Sequence, residues 1–197
     1  TAPATPAPEL QAVGPPSAPA PTRAEGVRVT TRAGTATIRW FEIYLGQLGV
    51  ERIDTARSIG KGFRGMPAFA LGTDSALEFD LHGEWIAGLA GGEVRLQGGF
   101  VFRTPTQAFD LRDLGLRVRP GLDPRIDFVD SKGRSFVYGD KLMYELVDQG
   151  RSFRIRSMDL NMGEALAHGL GVPELAGATI GEMHWLAGIV DAPAFAW

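Results

Sequence analysis

A ten-residue apolar pattern occurs twice in the second half of this chain, and few folds can accommodate it. Phe109-Asp110-Leu111-Arg112-Asp113-Leu114-Gly115-Leu116-Arg117-Val118 is answered 44 residues later by Phe153-Arg154-Ile155-Arg156-Ser157-Met158-Asp159-Leu160-Asn161-Met162. In both, apolar residues follow the phenylalanine at +2, +5, +7 and +9. A strand alternates its faces with a period of two. The step from +2 to +5 breaks that period once, and one inserted residue of the β-bulge type restores it. The pattern predicts two related strands, each bulged or broken near its middle.

The rest of the chain carries β signals of the same kind. Val27–Tyr44 is rich in β-branched and aromatic residues, and Ala33-Gly34 predicts a turn within it, giving a first hairpin. Residues 45–72 hold Gly60, Gly62, Gly65 and Pro67, which predict an ordered loop with Phe63, Met66 and Phe69 as plugs. Ser75–Leu89 reads as a strand, Gly91-Gly92 as the turn after it, and Glu93–Thr104 as the next strand, bulged at Gly98-Gly99. Asp130-Ser131-Lys132-Gly133 between Arg125–Val129 and Ser135–Tyr138 predicts a hairpin. Lys141–Val147 adds a further strand, and Gly163–His168 is the one good helix candidate, with a weak extension beyond Pro173. Thr179–Val190 returns to strand, and its Trp185-Leu186-Ala187-Gly188-Ile189 echoes Trp85-Ile86-Ala87-Gly88-Leu89. The two echoes have unequal offsets, which excludes a regular solenoid. The expected fold is mainly β: a single antiparallel β-sandwich or strongly curved sheet with bulged strands and one or two short helices.

Three segments follow from composition. Residues 1–26 are Pro/Ala-rich with almost no large apolar side chains, and such a segment is an extended tether rather than part of a core. Residues 27–190 form the β-rich domain, and 191–197 resemble a linker. A Pro/Ala-rich start of this kind is read as the leader of an exported protein; the alternative is an inter-domain linker of a cytosolic one.

Charge and cysteine content narrow the chemistry. The net charge is −3 with acids and bases interspersed, and no Lys/Arg cluster of the sort that displaces phosphate counterions occurs. Nucleic acid is therefore not an expected partner. No apolar run reaches the length of a membrane-spanning helix, so no transmembrane segment is expected. The absence of cysteine removes disulfides, thiolate metal sites and a Cys nucleophile. The basic residues are nearly all Arg and the chain is rich in Ala and Gly, as in proteins of GC-rich, Gram-negative bacteria.

Candidate site residues fall into three groups. Glu78, Asp80 and Glu84 lie in one strand, and opposed carboxylates at a suitable spacing would serve glycoside hydrolysis; alternate acids on a solvated face are the plainer explanation. His82 and His184, with Met183, Met158 and Met162 in reach, could suit copper or zinc if the two Trp-containing strands met across a sheet. Core packing explains the methionines equally well, and no motif at ligand spacing supports a metal. Arg112, Arg154 and Arg156 could recognise an anionic glycan or lipid headgroup, or form a ladder of opposite charges with neighbouring Asp residues. The ladder is favoured. Asp123, Asp127, Asp130 and Asp140 are further carboxylates around the hairpin, but Asp123–Asp130 lacks the spacing of a calcium loop, no Gly-x-Ser-x-Gly occurs, and no glycine loop suits a dinucleotide. No cofactor is expected.

The sequence therefore leads to an expectation of a periplasmic or extracellular binding or scaffolding module of the cell envelope, non-catalytic, acting through a β-sheet surface on an envelope protein, glycan or lipid. The alternatives are an envelope polysaccharide-processing enzyme using the carboxylates, or a His/Met carrier of copper or zinc.

Overall fold

The structure is a computed structural model that describes residues 27–73, 76–83, 85–121 and 123–190. The expected tether (1–26), the linker-like end (191–197) and Glu84 lie outside the described residues. In chain order the elements are β1 (Val27–Trp40), α1 (Glu42–Gln47), β2 (Arg52–Ala56), β3 (Gly60–Lys61), β4 (Pro67–Leu71), β5 (Ala76–His82) and β6 (Trp85–Gln97). There follow β7 (Gly99–Arg103), β8 (Ala108–Arg112), β9 (Gly115–Arg119), β10 (Arg125–Val129), β11 (Ser135–Val147), β12 (Ser152–Met162), α2 (Glu164–Leu170) and β13 (Thr179–Val190).

Eight of these strands close on themselves in the order β1-β5-β6-β9-β10-β11-β12-β13, each antiparallel to its neighbours, with β13 returning to pair with β1. The expected sandwich is thus corrected to an eight-strand barrel. The reason lies in β1. Its 14 residues are enough to pair with β13 from Thr30 to Trp40 on one edge. On the other edge it pairs with β5 near its start and with β4 over Thr35–Thr37. The eight-strand ring has no free edge, and the only edge of the main sheet among the described residues is the two-residue β3, which pairs with β4 alone. The expected hairpin at Ala33-Gly34 does not form; the chain continues straight through with one register shift between Thr31 and Gly34.

At eight strands a barrel interior is just wide enough to be filled by side chains. Phe69, Phe79, Phe128, Phe153, Leu116, Ile126 and Trp185 fill it, all fully buried. The Phe79 and Phe153 rings lie 4.9 Å apart across it. Each such side chain contributes about 1.5–3 kcal/mol relative to exposure.

The two copies of the opening pattern realise their extra residue differently. In the first the strand breaks: β8 carries Phe109 and Leu111, β9 carries Leu116 and Val118, and Asp113 between them adopts φ +53°. The Asp113 N–H donates to the Gly98 carbonyl at 2.7 Å, and its carboxylate accepts the Gly98 N–H at 2.9 Å. Gly98 and Gly99 sit opposite at φ +107° and +136°, angles that a side chain disfavours. The β6–β9 hairpin bends here, and its outer arms join β2 in a separate three-stranded sheet, β2-β7-β8. Phe100 and Phe102 of that sheet meet the Trp40 ring edge-on at 5.5 and 5.0 Å. In the second copy β12 runs unbroken, and its register against β13 slips between Ile155 and Met158. All ten apolar residues of the two copies are buried.

Several boundaries differ from the expectation. β5 ends at His82 with a turn at Gly83 and β6 begins at Trp85, so Gly91-Gly92 lie inside β6 as an irregularity against β5. Lys141–Val147 is the continuation of β11. Glu42–Tyr44, expected as part of the first hairpin, instead open the helix α1, and residues 45–72, expected as a loop, hold the end of α1 and β2, β3 and β4. Phe69 and Met66 are buried plugs, but Phe63 is half exposed.

Candidate binding groove

On the outside of the barrel, residues 57–66 form a hook that lies across β1. The Ile59 N–H donates to the Ala68 carbonyl and the Gly62 N–H to the Met66 carbonyl, both at 2.8 Å. The Ser58 hydroxyl donates to the carbonyls of Gly60 and Ala68, at 2.7 and 3.1 Å. Gly62 permits the close approach, since a Cβ there would stand 2.4 Å from the Thr37 hydroxyl oxygen. The hook delivers Phe63 to the His184 ring on β13, with centroids 4.3 Å apart.

Between the hook and β12 runs a groove of about 480 Å³, within the range of roughly 300–1,000 Å³ typical of small-molecule sites. Its floor is the outward face of β1 and β13: Thr35, Thr37, His184 and Leu186. Its sides carry Ile59, Lys61 and Phe63 from the hook and Arg154 and Arg156 from β12. Ile59, Phe63 and Leu186 are 58%, 49% and 43% exposed, and they account for three of the seven large apolar side chains that the described residues leave in solvent. Their concentration in one cleft is what marks it.

The charges divide unevenly. Arg39 pairs with Glu182 at 3.1 Å and Arg154 with Glu145 at 2.6 Å. Arg156 and Lys61 make no ion pair among the described residues, and Arg64 lies over the Phe63 ring at 5.0 Å. His184 directs Nδ1 at the Arg156 carbonyl, so the ring proton sits on Nδ1; its Nε2 is buried without a hydrogen-bond partner, 3.9 Å from the Glu182 carboxylate.

The structure thus brings Arg154, Arg156 and His184 together and separates the other candidates. Glu78 and Asp80 both face Arg28 on a convex strand surface, at 4.0 and 3.0 Å, and not each other across a cleft. The hydrogen bond from Arg28 to Asp80 raises the guanidinium above its ordinary value. Arg112 pairs with Asp110 in the small sheet, Nε to Oδ1 at 2.8 Å. That hydrogen bond holds the Asp110 carboxyl below the usual range and pushes Arg112 up. Arg154 thus pairs across neighbouring strands as in a ladder, Arg112 pairs within its own strand, and Arg156 makes no ion pair among the described residues.

His82 does not meet His184. His82 ends β5 beyond the point where Leu81 faces Val27, whereas His184 faces Thr37. Ten residues of β1 separate the two levels, on the order of 30 Å at the rise of a strand. Strands β6 and β13, with their echoing Trp segments, are not neighbours in the sheet. Met183 points into the barrel core, fully buried, on the opposite face of β13 from His184, and Met158 and Met162 are buried likewise. Among the described residues no three His, Asp, Glu or Cys side chains cluster for a metal ion.

Sequence reasoning missed Ile59, Lys61, Phe63 and Leu186 as site residues. The alternation Ile59-Gly60-Lys61-Gly62-Phe63 was a signal: glycine at every second position lets a chain lie flat on another strand while large side chains project. Neither a protein-family model nor a curated protein sequence matches this chain. The groove must be read from its own chemistry.

Proposed function

We propose that this protein is a non-catalytic binding module of the cell envelope, and that it acts through the groove between the 57–66 hook and the outer face of β12, β13 and β1. The observation carrying this is the gathering of exposed Ile59, Phe63 and Leu186 in one cleft that also holds Arg156 and Lys61, cations that make no ion pair among the described residues. Apolar surface left in water costs free energy that a covering ligand recovers, and two hydrated cations at the rim offer charge-assisted contacts to an anionic group. Binding is favoured over turnover because the two described candidate carboxylates are engaged by one arginine on a convex face. The envelope setting draws on the composition of residues 1–26 and is tested by fractionating native cells.

The groove is tested with phenylnaphthylamine, a neutral dye that brightens in apolar sites. The wild type is expected to bind it saturably, and Thr35→Trp, which fills the floor of the groove, to lose that binding while melting at the same temperature. No saturable uptake by the wild type, or equal uptake by Thr35→Trp, overturns the reading.

A further inference from the structure

We propose that the occupant of the groove is a single-chain amphiphile with an anionic head, its acid group held by Arg156 and Lys61 and its chain laid over Ile59, Phe63 and Leu186. The inference rests on the groove being the binding site and adds the chemical class of the ligand.

Among the described residues Arg156 escapes neutralisation for two reasons, its sequence neighbour and its register. When the two copies of the repeated pattern are superimposed, Arg156 falls on Arg112 and Arg154 falls on Asp110. In the first copy Asp110, two residues before Arg112, takes the guanidinium in a two-point ion pair. In the second copy that acid is replaced by an arginine. Cross-strand partners are missing as well. Against β13 the register runs from Ile155↔Trp185 to Met158↔Met183, and against β11 from Tyr144↔Ile155 to Met143↔Ser157. Arg156 is the residue skipped on both sides. A bulge re-aims the side chain it carries, and here it turns an arginine out of the ion-pair ladder and into the groove. The His184 ring bonds the Arg156 carbonyl and so fixes the bulge from beneath.

Eleven other described arginines pair with a carboxylate. An arginine excluded from such a pattern by both its sequence neighbour and its register, beside a second unpaired cation and three exposed apolar side chains, complements a ligand with one acidic end and one apolar body. A guanidinium binds carboxylate and phosphate alike in two-point geometry. A purely apolar ligand would gain no contact from the two cations, and a small inorganic anion would leave Ile59, Phe63 and Leu186 uncovered.

The test displaces bound phenylnaphthylamine with four twelve-carbon compounds of one chain length, each below its micelle-forming concentration: dodecanoate, dodecyl phosphate, dodecanol and dodecyltrimethylammonium. The anions are expected to displace the dye at least about tenfold more tightly than dodecanol, as expected for one charge-assisted contact, and the cation not at all. The stronger of the two anions tells a carboxylate head from a phosphate head. Arg156→Gln and Lys61→Gln should each reduce the preference for anions over dodecanol, measured for each variant against its own dye affinity and at an unchanged melting temperature, and Arg156→Lys should retain more of it than Arg156→Gln. Dodecanol displacing as well as the anions, or Arg156→Gln keeping the full preference, overturns the proposal while the groove still binds dye. Loss of dye binding in the wild type itself removes the groove reading, and this proposal with it.

Discussion

Gly34→Ala should loosen the seam that closes the barrel. A Cβ at Gly34 would stand 2.2 Å from the Leu186 carbonyl oxygen and 2.8 Å from the Ala187 Cα, both backbone atoms of β13. Comfortable contact between such atoms is about 3.5 Å, so β1 would have to withdraw from β13 by on the order of 1 Å. The ladder around Gly34↔Ala187 and Thr35↔Leu186 would stretch with it. Forced overpacking costs about 1–3 kcal/mol, and a weakened ladder bond adds about 1 kcal/mol. The sum, about 3 kcal/mol, corresponds to a fall in melting temperature of about 6–12 °C for a chain of this length. Gly46→Ala is the control. It lies in α1 with nothing within 4 Å of its would-be Cβ, and replacing a helical glycine should gain about 0.5–1 kcal/mol. Thermal and urea unfolding, followed by circular dichroism, compare the two. If Gly34→Ala melted within about 2 °C of the parent, β1 would not be seated on β13 and the sheet would not be closed there.

Other perturbations separate core from site. Asp127 is buried, held by Arg119 and Arg125, the latter at 2.7 Å. Asp127→Ala should cost about 2 kcal/mol in urea unfolding, less than a fully buried pair because both arginines can turn to solvent, and should leave dye binding unchanged. Met183→Leu conserves volume inside the barrel and should cost less than about 1.5 kcal/mol, with equilibrium dialysis showing the same uptake of copper by variant and parent. Hydrogen bonds from arginines, Arg103 first for Asp54 and Arg112 first for Asp110, lower those carboxyls from their ordinary values. A carboxyl lowered in the folded state adds stability above its unfolded pKa of about 3.9 and loses it as pH falls through the folded value. Melting temperature should therefore drop below about pH 4, and Asp110→Asn should flatten part of that drop. Lys141, raised by the Asp159 hydrogen bond, acts oppositely: its contribution holds below its unfolded pKa of about 10.4 and is lost as pH rises through the folded value.

The kinked strands were legible in the sequence because a period of two, broken once and restored, has a direct structural meaning. The asymmetry between the copies was legible too, though its consequence was not: Asp110 against Arg154 decides which arginine is free. Barrel closure was not visible, because pairing of β1 with β13 joins residues some 150 positions apart and no local pattern encodes it. The turn placed at Ala33-Gly34 failed for the same reason, since that glycine serves a close approach by a distant strand and not a reversal of the chain. Arg154, Arg156 and His184 were singled out separately by residue type. What joins them is the pairing of β12 with β13, and the hook then closes over them; its Phe63 reads as a core plug because an isolated aromatic in a glycine-rich stretch gives no sign of which surface it will cover.

The most direct measurement is residue-resolved: isotope-labelled protein titrated with dodecanoate below its micelle-forming concentration and followed by NMR. Saturable shifts confined to Ile59, Lys61, Phe63, Arg156, His184 and Leu186 are the predicted result. Shifts centred on the exposed Trp85 and Met143, or no saturable shifts at all, would contradict it.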